Sequence, residues 1–162
     1  QNIGKAVTRG LELEAKFRLS EMLADAPPID LRANYSRFWS KVDDVLGPNN
    51  RLDQQPTYTA NLGMDYRLRS LPLTLGGNLN WTPAYTVQQT DNQAYSQGLK
   101  RVFDVYALWK FDTTTQLRLS AANLLHADYD TANRTLFGTT DQLATTVTQT
   151  YLTWSARLEM KF

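Results

Sequence analysis

Polar and apolar positions alternate along most of the chain with a period of two. From Val7 the sequence reads VTRGLELEAKFRL, which sets Leu11, Leu13, Ala15, Phe17 and Leu19 on one face. Gly10, Glu12, Glu14, Lys16 and Arg18 occupy the other. A helix would scatter both sets around its circumference, so the segment predicts a strand.

The pattern returns along the chain. Ile29, Leu31, Ala33 and Tyr35 oppose Asp30, Arg32, Asn34 and Ser36, in a segment running on to Ser40. Tyr58, Ala60, Leu62, Met64, Tyr66 and Leu68 oppose Thr59, Asn61, Gly63, Asp65 and Arg67. Leu73, Leu75, Gly77, Leu79 and Trp81 face away from Thr74, Gly76, Asn78 and Asn80. Phe103, Val105, Ala107, Trp109 and Phe111 oppose Asp104, Tyr106, Leu108 and Lys110, and Leu117, Leu119 and Ala121 oppose Gln116, Arg118 and Ser120. The last segment sets Leu152, Trp154, Ala156, Leu158, Met160 and Phe162 against Thr153, Ser155, Arg157, Glu159 and Lys161. About seven long strands follow, joined as antiparallel neighbours because the connections are too short or too irregular for crossover helices.

Those connections alternate in length. Residues 20–28, 69–72 and 112–115 make short ones, whereas 41–56, 86–100 and 124–149 make long ones rich in Asn, Asp, Gln and Thr. Structureless loops beyond ~12–15 residues are uncommon in compact soluble domains. Short turns at one end and long loops at the other are the arrangement of an outer-membrane barrel.

Alternation alone does not say which face is inside, so a soluble β-barrel or sandwich holding a small apolar ligand is the alternative. Strand length favours the membrane: an apolar band of ~25 Å crossed at ~40° needs roughly ten residues, five of them lipid-facing. Leu11 to Leu19 supplies them. Aromatic rings agree, with Phe17, Tyr66, Trp109, Phe111 and Phe162 near the short-turn end and Tyr35, Trp39, Tyr58, Trp81, Tyr85 and Trp154 toward the long-loop end. Two such belts suit lipid headgroups. The opposite face mixes charges of both signs, which suits a hydrated lumen with cross-strand ion pairs.

Composition narrows the function. A hydrophobic fraction of 42% excludes disorder, and 162 residues suggest one domain. Mean hydropathy of −0.45 is compatible with a barrel whose strands alternate. A net charge of +1 gives no reason to expect nucleic acid. With no cysteine, disulfide scaffolds and thiol catalysis are excluded. The chain opens on Gln1 without a signal-type stretch, as in a mature protein or a piece of one.

The opening NIGKAVTRGLELEAKF resembles a late barrel strand of TonB-dependent outer-membrane receptors. QPTYTANLGMDYRL, PLTLGGNLNW, FDVYALWKF, LRLSAANLLHADY and the terminal WSARLEMKF resemble the strands that close those barrels. The likeness covers nearly the whole chain. Within 124–149 it reaches only Leu124, Asp128 and Tyr129. The resemblance implies an all-β fold: an antiparallel meander forming part of a transmembrane barrel of about 22 strands. Residues 1–162 would then be the C-terminal segment of the barrel, with the plug and earlier strands outside this sequence. It also implies active uptake of a scarce ligand such as a ferric siderophore. The implied partners are outer-membrane lipid, the remaining strands and plug, the TonB energy-coupling complex, the barrel-assembly machinery and the small chelate ligand.

Trp154, Ala156, Leu158, Met160 and Phe162 resemble the C-terminal assembly signal of such barrels, an apolar strand face offered edge-on for strand addition. In the long loops, Gln93, Tyr95, Tyr129, Asn133 and Arg134 are the candidate ligand contacts. No enzyme is indicated. Glu12 and Glu14 share a face, but Lys16 and Arg18 continue their row, so the pair is part of a mixed-charge face and not an isolated acid pair. His126 is the lone histidine, with Asp128 and Asp130 its close acidic neighbours, which suits a solvated loop. No nucleophile elbow, phosphate loop or dinucleotide fingerprint is present, so neither cofactor nor resident metal is expected.

The assigned faces predict unequal mutants. Leu13→Arg places a cation mid-band against lipid, at a cost of ~2–4 kcal/mol, whereas Glu14→Gln meets water. Folding into detergent micelles should fail far more for the first, and equal effects would refute the assignment.

Overall fold

The computed structural model describes residues 4–161. Its main sheet is an antiparallel meander of seven strands: β1 (Ala6–Arg18), β2 (Ile29–Val42), β3 (Tyr58–Arg67), β4 (Leu73–Thr82), β7 (Lys100–Lys110), β8 (Thr115–Ala122) and β11 (Thr153–Met160). These are the seven segments of period two. Their pairings run in unbroken register, so the apolar faces of successive strands lie on one side of the sheet. The sheet is an open wall whose edges are β1 and β11. Phe162 lies outside the described residues.

Three expectations are corrected. The connections 86–100 and 124–149 are not loops but hairpins, β5 (Tyr85–Thr90) with β6 (Gln93–Gln97) and β9 (Tyr129–Phe137) with β10 (Thr140–Thr148). They join as a second sheet in the order β10-β9-β6-β5. Every residue of β10 except Thr148 is exposed, so nothing selects for apolar alternation and its polar sequence resembles a loop. Second, Leu19 does not extend β1 but opens α1 (Leu19–Met22), one helical turn in the β1–β2 connection. Third, Tyr85 is not a belt residue: it is buried in the second sheet and donates its hydroxyl to the Gln54 carbonyl at 3.2 Å.

Burial is inverted relative to a globular domain. Leu13 is 57% exposed, Leu62 54% and Leu158 58%, all on the apolar face of the wall. Apart from Ala121, the buried apolar residues among the described ones are Val42, Val45, Tyr85 and Val87, at the long-loop end. There the 43–57 connection is knotted down. Asn50 donates to the carbonyls of Val42 and Val45 at 3.2 and 3.1 Å, Arg51 to those of Phe38 and Pro56 at 3.1 and 3.0 Å, and the Leu52 amide to Ser40 Oγ at 2.9 Å.

The polar face satisfies its charges across strands. Asp30 takes Arg18 from β1 at 2.8 Å and Arg67 from β3 at 2.6 Å. Asp65 takes Arg32 from β2 at 2.8 Å and the Tyr106 hydroxyl from β7 at 2.5 Å. Tyr106 must cross β4 to reach Asp65, and it does so over Gly76, the residue registered between them. A methyl at Gly76 would run into the Tyr106 ring. Arg118 of β8 then lies 3.8 Å above that ring, a cation–π contact that extends the band across five strands.

Gly76→Ala should therefore expel Tyr106 from Asp65 and destabilise the folded protein by ~1–3 kcal/mol. The temperature at which the protein loses its folded electrophoretic mobility should fall. Gly10→Ala is the control, because a Cβ there meets ordinary contacts at 3.7 and 3.8 Å.

Candidate functional site

The second sheet stands on the long-loop end of the wall, and its two faces differ in chemistry. Registered partners in an antiparallel pair project to the same side. Val87 opposes Tyr95 and Tyr85 opposes Gln97. Tyr95 in turn opposes Asn133, Gln97 opposes Thr131 and Gln93 opposes Thr135. Tyr129 shares the parity of Thr131 and Asn133. One face thus gathers Gln93, Tyr95, Tyr129 and Asn133, four of the five candidate ligand contacts, from two connections far apart in sequence. The sheet itself places no charged residue on it.

The rings on this face are held, not free. Tyr85 and Tyr95 lie 6.2 Å apart at 53°, and the Lys100 ammonium sits 4.9 Å from the Tyr129 centroid. Burial pushes both the Tyr85 and Tyr95 phenols up, helped by Asp53 and a neighbouring tyrosine, so both remain neutral donors at physiological pH. Gln89 fixes Asp53 at 3.0 Å. The site offers aromatic faces, amides and hydroxyls, with one cation and one carboxylate at its margin. It can stack on and hydrogen-bond a compact ligand.

Arg134 belongs to the reverse face. Its guanidinium grips Asp141 in a bidentate pair, with contacts of 2.9, 3.1 and 2.6 Å, across the β9–β10 hairpin. This pairing raises the Arg134 pKa and holds the Asp141 carboxyl below its usual range. Leu136, Leu143 and Val147 share that face by register and are exposed.

The remaining sequence candidates are plain. Lys16 pairs with Glu14 at 2.5 Å. His126 is exposed, with Nδ1 3.4 Å from its own loop's Leu124 carbonyl. Among the described residues no group of three or more His, Cys, Asp or Glu could hold a metal ion. Trp154, Ala156, Leu158 and Met160 lie on one side of the edge strand β11, all exposed. Sequence reading missed Tyr85, Gln97 and Thr131 as members of the face. A strand assignment for 85–97 and 129–148 would have found them by parity.

A long-stranded antiparallel wall, apolar on one face and charge-paired on the other, with a polar sheet raised at one end, defines an outer-membrane barrel protein. The model of the TonB dependent receptor-like, beta-barrel family matches residues 1–124, and the chain belongs to that family. Neither the curated proteins nor the solved structures give a match. The chain is accordingly barrel wall of a receptor of the bacterial outer membrane, a family of transporters and not of enzymes. The matched stretch ends at Leu124, before the β9–β10 hairpin.

The end bearing the second sheet should face outside the cell. A cysteine introduced at Gln93 in the full receptor should be labelled by an impermeant reagent on whole cells, and one at Thr114 in the β7–β8 turn should not. The reverse result would invert the wall.

Proposed function

We propose that this chain is the C-terminal wall of a TonB-dependent receptor that takes up a scarce compact ligand, a ferric siderophore being the class implied by the family. The single observation carrying the ligand role is the uncharged face of the second sheet, where Tyr95, Tyr129 and Asn133 converge from separate hairpins. Rigid aromatic rings give contact area at low entropic cost, and amides and hydroxyls supply directional bonds. In this reading the cross-strand network on the polar face lines the hydrated lumen, where the plug sits and where the energy-coupling complex acts through it. The open edge β11 pairs with the first strand of the whole barrel, because unpaired backbone groups are intolerable in lipid. Trp154, Ala156, Leu158, Met160 and Phe162 then present the strand to the assembly machinery.

Uptake tests the reading. In cells carrying the full receptor, Tyr95→Ala and Asn133→Ala should each cut ferric-siderophore uptake by about fivefold or more at unchanged surface abundance, as losing ~1 kcal/mol or more of contact would. Arg134→Ala, on the reverse face, should cut it less. Dissipating the proton gradient should stop wild-type uptake while leaving ligand binding. Uptake indifferent to both face variants would refute the assigned face.

A further inference from the structure

We infer that the outer surface of β1 and β2, at the long-loop end, is a binding site for the phosphate groups of an anionic lipid of the outer leaflet. The apolar face of the wall carries only four charged residues among its described strand positions: Arg9, Arg37, Lys41 and Arg101. All four are cations. All four lie at the long-loop end, beyond the apolar band, and this face holds no carboxylate in any strand of the wall. At the short-turn end the same face carries Phe17, Tyr66 and Trp109 and no charge.

Three of the four converge. Arg9 is registered opposite Trp39, and Arg37 and Lys41 flank Trp39 two residues to either side. Arg9 is therefore diagonal to both, at ~7–8 Å between strand positions. The Arg37 guanidinium sits 5.7 Å from the centre of the Trp39 ring, which is itself 48% exposed. Beyond β3, Trp81 is registered with Arg101 and repeats the pairing of ring and cation.

These cations lack what the charges of the polar face have. None of the four makes an ion pair among the described residues, whereas Arg18, Arg32 and Arg67 all do. Like charges gathered on one surface repel each other unless an anion lies between them. A trio of unpaired cations beside an interfacial tryptophan is complementary to a multiply charged phosphate headgroup. Guanidinium forks bind phosphate oxygens bidentately, and the indole lies at the headgroup level. Lumenal solutes are on the other side of the wall, so the occupant comes from the membrane. The site rests on the outward placement of the long loops, which the cysteine labelling above tests separately.

The experiment uses the full receptor purified in a neutral detergent. Diphosphorylated lipid A should bind and raise its melting temperature. Dephosphorylated lipid A and inorganic pyrophosphate are the comparison arms. Arg37→Gln should weaken lipid A binding about fivefold, the worth of one interfacial cation, and the combined Arg9→Gln, Arg37→Gln, Lys41→Gln variant by far more. Arg37→Lys, which keeps the charge but loses the fork, should bind between wild type and Arg37→Gln, and should serve where the Gln variants fail to assemble. Arg157→Gln, on the lumen side, should leave binding unchanged. Equal binding of the dephosphorylated lipid, equal stabilisation by pyrophosphate alone, or binding unaffected by Arg37→Gln would each overturn the proposal.

Discussion

A strand's pleat turns each side chain to the face opposite its predecessor, and in this wall the two faces meet different solvents. Every other feature depends on that constraint. Away from the long-loop end the outer face carries no charge in any of the seven strands, because hydrocarbon solvates no charge cheaply. The other face carries the paired charges. Unbroken register from β1 to β11 keeps the two sets from mixing, since one slipped residue would carry Glu14 or Asp65 into lipid.

A wall without a packed core must find its order elsewhere. Backbone pairing supplies most of it, and the inner face adds a lattice of charge-assisted bonds. Asp30 and Asp65 each gather partners from two other strands. Gly76 makes the longer of these links sterically possible by leaving room for Tyr106 to cross β4. Val42 and Val87 are buried at the long-loop end, and there the Gln88 amide of the second sheet donates to the Asn49 carbonyl of the 43–57 connection at 2.8 Å. Exposed partner-bearing groups contribute modestly one by one, but a connected band resists shear between strands better than isolated pairs.

The two regions also differ in chemistry. The wall is apolar on one face and charge-paired on the other. The second sheet stands clear of the band, where neither alternation nor length is constrained by the bilayer, and there an uncharged aromatic and amide face can be built. Between them lies a collar of cations and indoles on the outer surface, matched to neither hydrocarbon nor water.

The seven strands of the wall were legible in the sequence because each position reports which solvent it faces. Leu11, Leu13, Ala15 and Phe17 against Glu12, Glu14 and Lys16 admit one period and one geometry. The family resemblance was legible for the same reason, being written in those strands. The hairpins β5–β6 and β9–β10 were not, because Thr140–Thr148 meets water on both sides and so carries no alternation to read. Which candidates share a face was decided only by the cross-pairing of β6 with β9. That pairing joins Tyr95 to Asn133 across 38 residues of chain and leaves Arg134 behind the sheet, bound to Asp141. Local sequence encodes a residue's solvent; it does not encode its distant neighbour, which depends on how the connections fold over one another.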